Sequence, residues 1–346
     1  MIYSVNITPD VDTGIGAWTA DGFWKAMHQG VEPDGTQLYP AFPYPWYTKV
    51  TREDSDAIFA FLQTLEPVRH QVRRDDLPFP LNIRAAVAGW NLLFFRPGTF
   101  QPNPDRSGEW NRGACLVEGL GHCGTCHTPM NALGGSETGQ AYAGNALQGW
   151  FAPNITANDY QGIGQWGVDD IVLYLKTGAT GWSRASGPMA EVVEYSTSLM
   201  DEADLHAIAT YLKDLPPRGP AAAAQPIAAE EPRMQRGEAI YVDNCAACHR
   251  RDGQGAGGML PALAGDQVVV QPRVDTLARI ILAGVRSVAT AAEPTVPGMP
   301  AFDWKLSDPR AADLITYIRN ARGNAAPPAT PNEVRRMRRR VNAAAD

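Results

Sequence analysis

Apolar residues recur at helical spacing in three similar stretches of the chain: AIFAFLQTLEP (Ala57 to Pro67), AIATYLKDLPP (Ala207 to Pro217) and LITYIRN (Leu314 to Asn320). Each carries an aromatic at a matching position, Phe61, Tyr211 or Tyr317, and each reads as the closing helix of a repeated unit. Two further stretches, WNRGACLVEGLGHC (Trp110 to Cys123) and MQRGEAIYVDNC (Met234 to Cys245), read as opening helices with Arg-Gly at a shared position. A glycine inside a helix costs roughly 1 kcal/mol against alanine. Gly113 and Gly237 therefore predict the close approach of another element, for which the aromatic of the closing helix is the natural partner.

A second repeat frames the first. NITPDVDTGIGAW (Asn6 to Trp18) returns as NITANDYQGIGQW (Asn154 to Trp166). Together these signals predict a remnant unit over 1–70, a connecting segment over 71–107, a unit over 108–216, a Pro/Ala linker over 217–232, a unit over 233–322 and a basic tail over 323–346. The linker composition predicts semi-rigidity. The connecting segment holds LNIRAAVAGWNLLFF (Leu81 to Phe95), too short and, with Arg84, too polar to span a bilayer, which needs ~20 apolar residues. It is expected to form one helix that packs on a domain or a partner. Five arginines between Arg335 and Arg340 predict a solvated, frayed end, with an acidic partner or membrane surface as the alternative.

Composition narrows the classes. The 346 residues include 33 Gly and 28 Pro with 19% charged, which suggests loop-rich domains organised around something other than long regular elements. A formal net charge of −7 gives no footprint for nucleic acid, which calls for a basic face. No signal peptide is visible at the start of the chain.

The five cysteines are Cys115 and two pairs, Cys123 with Cys126 and Cys245 with Cys248; His127 and His249 follow the pairs directly. C-x-x-C-H is the attachment signature of c-type haem, two thiols for the vinyl groups and a histidine nitrogen for the iron. A zinc site would want four ligands where each box has three, and a thioredoxin-like pair belongs to a βαβ context absent here. An electron-transfer iron takes a methionine on its other face. Met189, in SGPMAEVVEYS, and Met299, in VPGMPAF, stand among prolines ahead of the closing helices and are the candidate ligands. Met130, Met200, Met234 and Met259 lack that placement and read as core filler; His28, His70, His122 and His206 read as surface or satisfied core histidines, and Cys115 as structural. Pro153 and Pro261 are placed to line the histidine side, where a backbone carbonyl would accept the proton on the ligand's other ring nitrogen.

In the register of the repeat, the first unit's box would fall before Met1, and Met189 would fall opposite the LYPAFPYPWY segment, whose Phe42, taken as the matching residue, cannot bind iron. Either the start of the chain lies too late or the unit has decayed to a haem-free remnant; Phe42 favours a real loss. That unit is expected to be the least stable.

NITPDVDTGIGAW, YPAFPYPWYTKVT, WNRGACLVEGLGHCGTCHTPMNALGG, SGPMAEVVEYST, DNCAACHRRDGQG and PALAG together resemble the tri-haem cytochrome c subunit of membrane-bound bacterial alcohol, gluconate, sorbitol and fructose dehydrogenases. The resemblance implies an all-α fold of tandem class I-type cytochrome c domains, the first incomplete and haem-free here. It also implies two covalently bound haems c, one held by Cys123, Cys126, His127 and Met189 and one by Cys245, Cys248, His249 and Met299. The chain would not be an enzyme on its own. It would relay electrons from a quinoprotein, flavoprotein or molybdenum-type catalytic dehydrogenase subunit to ubiquinone or a terminal oxidase. Its place would be the periplasm, at the outer face of the inner membrane, with peripheral membrane association. A di-haem peroxidase is the alternative activity, and a molybdenum hydroxylase the alternative partner.

Overall fold

A computed structural model of the chain describes residues 2–343 apart from 74, 80, 222, 223 and 258. Two linker residues and the last three of the basic tail thus lie outside the described residues. The chain divides into two compact units, Met1–Thr125 and Cys126–Asp346. Among the described residues the structure is mostly helical, and no helix is long and apolar enough to cross a membrane.

The first unit contains α1 (Ala20–Gln29), α2 (Tyr44–Tyr47), α3 (Arg52–Leu62), α4 (Ala85–Phe94) and α5 (Gly108–Glu118). Helix α6 (Cys123–His127) begins in this unit and ends in the second. The core is aromatic: Ile15, Phe23, Met27 and Val50 are buried, and Trp18, Phe42, Tyr47 and Phe59 pack on them. The Phe23 and Phe59 ring centroids are 5.2 Å apart, and those of Phe42 and Tyr47 are 5.3 Å apart. Phe61, the matching aromatic of the closing helix, is 64% exposed, so α3 turns Phe59 rather than Phe61 to its core. Helix α4 anchors through Val87, which is buried, and Asn91, which pairs with the Tyr44 hydroxyl; Leu92 and Leu93 remain exposed.

The repeated Asn-Ile-Thr is a latch. Asn6 Oδ1 accepts from the Thr8 amide and hydroxyl, while Asn6 Nδ2 donates to the Val68 carbonyl and the Val68 amide donates to Thr8 Oγ1. Asn154, Thr156 and Arg218 repeat this pattern bond for bond. Each latch therefore ties the chain leaving a closing helix back to the loop that opens the unit. The glycines are required by the turn, since a Cβ on Gly14 or Gly162 would run into the carbonyl of Thr8 or Thr156.

The second unit contains an antiparallel pair, β1 (Asn145–Leu147) with β2 (Trp150–Ala152), then α7 (Val168–Thr177), α8 (Pro188–Tyr195) and α9 (Glu202–Asp214). It continues with α10 (Pro232–Asn244), α11 (Ala246–His249), α12 (Gln267–Val270) and α13 (Asp275–Ala283). A second antiparallel pair, β3 (Val285–Arg286) with β4 (Gly298–Met299), precedes α14 (Asp308–Asn320) and α15 (Pro331–Asn342). Helices α10 and α14 cross at Gly237, where a Cβ would meet the Asp313 carbonyl oxygen and, at 2.6 Å, the Tyr317 Cβ. The expected close approach of glycine and aromatic is thus present at Gly237.

One expectation is corrected in this unit, that of the basic tail. The Pro/Ala linker is held to the core at both ends, by the latch at Arg218, by Asn158 Nδ2 on the Pro220 carbonyl, and by the Ile227 amide on Asn320 Oδ1. The basic tail is not a frayed end. Thr330 and Glu333 form a capping box that starts α15, which buries Val334 and Met337 against α13 and α14. Its arginines are spent locally: Arg335 and Arg338 pair with Asp308, and Arg338 also donates to the carbonyls of Asp303 and Leu306.

Asp266 caps α12, accepting from the Val268 amide at 2.8 Å and the Ser183 hydroxyl at 3.3 Å, and it is buried. Burial pushes its carboxyl up to about 7. A raised carboxyl favours the native state when protonated, so its contribution is whole below the unfolded value near 4 and is lost as pH rises through 7. We expect Asp266→Asn to be the more stable protein above pH 7, by about 4 kcal/mol at most, and the less favoured one as pH falls. Urea unfolding of both proteins at several pH values checks this; parallel pH profiles would refute it.

Candidate haem sites

The box of the first candidate site is α6, a single turn entered through His122 in the left-handed region at φ 34°. The far end is fixed by backbone: the Gly144 amide donates to the His127 carbonyl at 2.8 Å, and the Tyr142 amide donates to Thr128 Oγ1 at 3.1 Å. His127 Nδ1 lies 2.7 Å from the Pro153 carbonyl oxygen, just beyond β2. With that carbonyl as acceptor Nδ1 carries the proton, and Nε2 is left as the nitrogen that can bind a metal. Burial holds the imidazole pKa below its ordinary value, so the ring is neutral at pH 7, as a ligand must be.

The second box repeats the geometry from a different run-in. Cys245 closes α10, and the amides of Cys248 and His249 donate to its carbonyl at 3.1 and 2.8 Å, winding α11. His249 is buried, with Nδ1 3.1 Å from the Pro261 carbonyl oxygen and its pKa lowered by burial. Tyr241 Oη donates to the Arg250 carbonyl at 2.6 Å and so pins the exit of the turn. Burial pushes the Cys245 thiol up to about 11 and raises Cys126 and Cys115, whereas Cys248 is exposed.

Met189 is the second residue of α8, which starts at Pro188 after Gly187 in the left-handed region at φ 55°. Its side chain packs on a small cluster of Ala185, Val193 and Val288, beside Tyr174. Met299 stands opposite Val285 in the β3–β4 ladder and lines an open hollow of about 440 Å³ with Gly284, Arg286 and Pro300. Cys245 is part of the core of α10, α13 and α14, and Met299 packs against that same core. Of the other methionines, Met234 is core, whereas Met130 and Met259 are 41% and 59% exposed and do not fill the interior. His28 is a satisfied core histidine, 3.2 Å from both Thr48 Oγ1 and Thr99 Oγ1.

One contact at the first box has no local sequence signal. The Trp46 indole lies on the backbone of Gly124, where any Cβ would run into the ring. Tyr47 packs edge-on against His122 with centroids 5.4 Å apart. Gly124→Ala is expected to destabilise the first unit by about 1–3 kcal/mol through overpacking. Adding Trp46→Ala should recover part of that loss. A double-mutant cycle by denaturant unfolding reads the coupling; strict additivity would show that the two residues do not touch.

The donor set suits one cofactor class. Each box offers two thiols one turn apart and a neutral histidine whose Nε2 is oriented by a carbonyl on Nδ1. These residues fit covalent haem c. A family model described as cytochrome c matches residues 234–322. The chain is 37% identical over 345 residues to the cytochrome c subunit of the quinone-dependent alcohol dehydrogenase of Gluconacetobacter polyoxogenes, covering 94% of this chain and 73% of that one. It is 37% identical over 346 residues to the gluconate 2-dehydrogenase cytochrome c subunit of Pantoea cypripedii, covering 94% and 78%.

The chain belongs to the family of cytochrome c subunits of dehydrogenases. As a member of that family it transfers electrons by haem and is not the catalytic subunit. It is also 39% identical over 325 residues to a nicotinate dehydrogenase subunit of Pseudomonas putida, covering 92% of this chain and 27%, about a quarter, of that longer protein.

Proposed function

We propose that the chain carries two haems c, the first on Cys123, Cys126, His127 and Met189 and the second on Cys245, Cys248, His249 and Met299, and that the segment 1–70 is a haem-free remnant. The observation that carries this reading is the pairing of each box histidine's Nδ1 with a proline carbonyl, Pro153 or Pro261, which leaves Nε2 for iron. Bound there, haem c supplies reversible one-electron chemistry. The protein's part would be to tether the group through Cys123, Cys126, Cys245 and Cys248, hold each imidazole in one tautomer, and offer the thioethers of Met189 and Met299 as further ligands that would exclude exogenous ones. In the first unit Phe42 is packed among Tyr47 and the core aromatics, which supports a role in packing rather than ligation.

The electrons come from a catalytic dehydrogenase subunit in the periplasm and leave to ubiquinone or a terminal oxidase. The names of the relatives support a dehydrogenase partner; a quinoprotein or flavoprotein is the first reading of its type and a molybdenum hydroxylase the second. Peripheral membrane association is supported by α4, whose Leu92 and Leu93 are exposed between Arg84 and Arg96. A pyridine haemochrome assay on exported protein tests the haem count: two per chain is expected, and none or one would overturn the assignment. Rapid peroxide turnover by the purified chain would instead favour the di-haem peroxidase.

A further inference from the structure

The glycine that ends α7, Gly178, has φ 77° and faces Val288, whose Cγ1 occupies the space a Cβ would need. The corresponding glycine of the first unit, Gly30, ends α1 at φ 67° and faces the Tyr44 ring, a residue of its own unit. The site around Met189 is thus filled by a side chain from more than a hundred residues downstream, where the first unit fills the same place locally.

Val288 belongs to the excursion between β3 and β4. Its base is the pairing of Val285 with Met299 and Arg286 with Gly298, extended by the Ser287 amide on the Pro297 carbonyl at 3.2 Å. The tip is closed by reciprocal backbone bonds between Thr290 and Glu293 at 3.1 and 3.2 Å. From this hairpin Val288, 4% exposed, enters the cluster of Ala185, Val193, Tyr174 and Met189. Beside it Glu293 pairs with Arg184, whose side chain is 5% exposed, and Arg184 is bridged to Ala179 just after Gly178. The segment that delivers Met189 is therefore gripped at two points by the hairpin whose base carries Met299.

We infer that Val288 and Glu293 are positioning residues for Met189, so that the first haem site is completed by the ligand hairpin of the second and the two sites share one mechanical element. The inference rests on Met189 being an axial ligand. An apolar wedge and an ion pair on a buried arginine suit this task, because close packing transmits small displacements and a partly desolvated pair resists separation. A disturbance at the hairpin would loosen the thioether at Met189 while the histidine and both thioethers of that haem stay in place.

The test reads each ligand separately in the reduced holoprotein. The ring-current-shifted methyl signals of iron-bound methionines are assigned with Met189→Ala and Met299→Ala, and carbon monoxide binding and the reduction potential of each haem are measured alongside. Val288→Ala is expected to broaden or lose the Met189 signal, raise carbon monoxide binding at that haem roughly tenfold, the scale that losing two buried methyl groups supports, and lower its potential. Val288→Ile should restore wild-type values, and Glu293→Gln, at the hairpin tip, should give a smaller effect of the same sign even if Val288→Ala folds poorly. A Met189 signal, carbon monoxide affinity and potential that stay at wild-type values in Val288→Ala and Glu293→Gln would overturn the inference. Were both methyl signals to survive in Met189→Ala, the ligand assignment itself would be at fault, a failure distinct from that of the hairpin.

Discussion

Replacing Met189 or Met299 by alanine is expected to open to carbon monoxide the haem that each methionine would ligate, one equivalent per chain for each single variant and two for the pair. Both side chains are half-buried, Met189 against Val193 and Tyr174 and Met299 against the core of α10, α13 and α14, so truncation should cost less than the ~2–5 kcal/mol typical of a fully buried methionine and leave the fold intact. The chemical effect is larger. A thioether favours the reduced metal and raises the potential; its loss should lower the potential of the affected haem by an appreciable part of the ~0.8 V range that axial ligation commands. Titration of the ferrous protein with carbon monoxide, together with spectroelectrochemistry, checks both effects. Wild-type refusal of carbon monoxide in either variant would mean that another side chain closes that iron.

What could be read from the sequence is what local chemistry encodes. The Asn-Ile-Thr repeat announced itself because its bonds are made by side chains that nothing else replaces: Asn6 and Asn154 each satisfy a turn and a distant carbonyl at once. Gly237 was legible for the same reason, a glycine that a helix tolerates only under contact. The proline carbonyls at Pro153 and Pro261 followed from what a ligating imidazole requires of its other nitrogen. The grip of Val288 on Gly178 and of Trp46 on Gly124 has no such signature, because a close contact between distant segments leaves only an ordinary glycine in each. The basic tail misled by weight of charge. Its capping box was written in Thr-Pro-Asn-Glu, and Val334 and Met337 stand three apart on one face, but five arginines dominated the pattern, and Asp308, which pairs with Arg335 and Arg338, lies in another helix.

The largest loss of folding stability should come from Arg319, on the closing helix α14. Its side chain is fully buried, and its guanidinium donates to four backbone carbonyls: Pro327 through Nε at 2.9 Å, Val269 and Arg273 through Nη1 at 3.0 and 3.3 Å, and Gln271 through Nη2 at 2.7 Å. Val269 lies in the last turn of α12, where carbonyls have no partner inside the helix, and the others sit in chain too irregular to satisfy them. One planar cation thus stitches α14 to the end of α12 and to the run into α15. Arg319→Met keeps much of the apolar stem but orphans two buried acceptors, on Val269 and Gln271, and two part-buried ones, and about 3–5 kcal/mol should be lost. Arg319→Lys should recover only a small part, since three donors on one nitrogen cannot span acceptors set around a fork. Burial lowers the guanidinium pKa to about 10, so the group is cationic in both folded and unfolded chains at neutral pH. The wild-type advantage over Arg319→Met should therefore be flat from about pH 6 to pH 9, in contrast to the falling contribution of Asp266 over the same range. Urea unfolding midpoints across that interval measure both, and a loss under about 1 kcal/mol in Arg319→Met would mean that water satisfies those carbonyls as well as the arginine does.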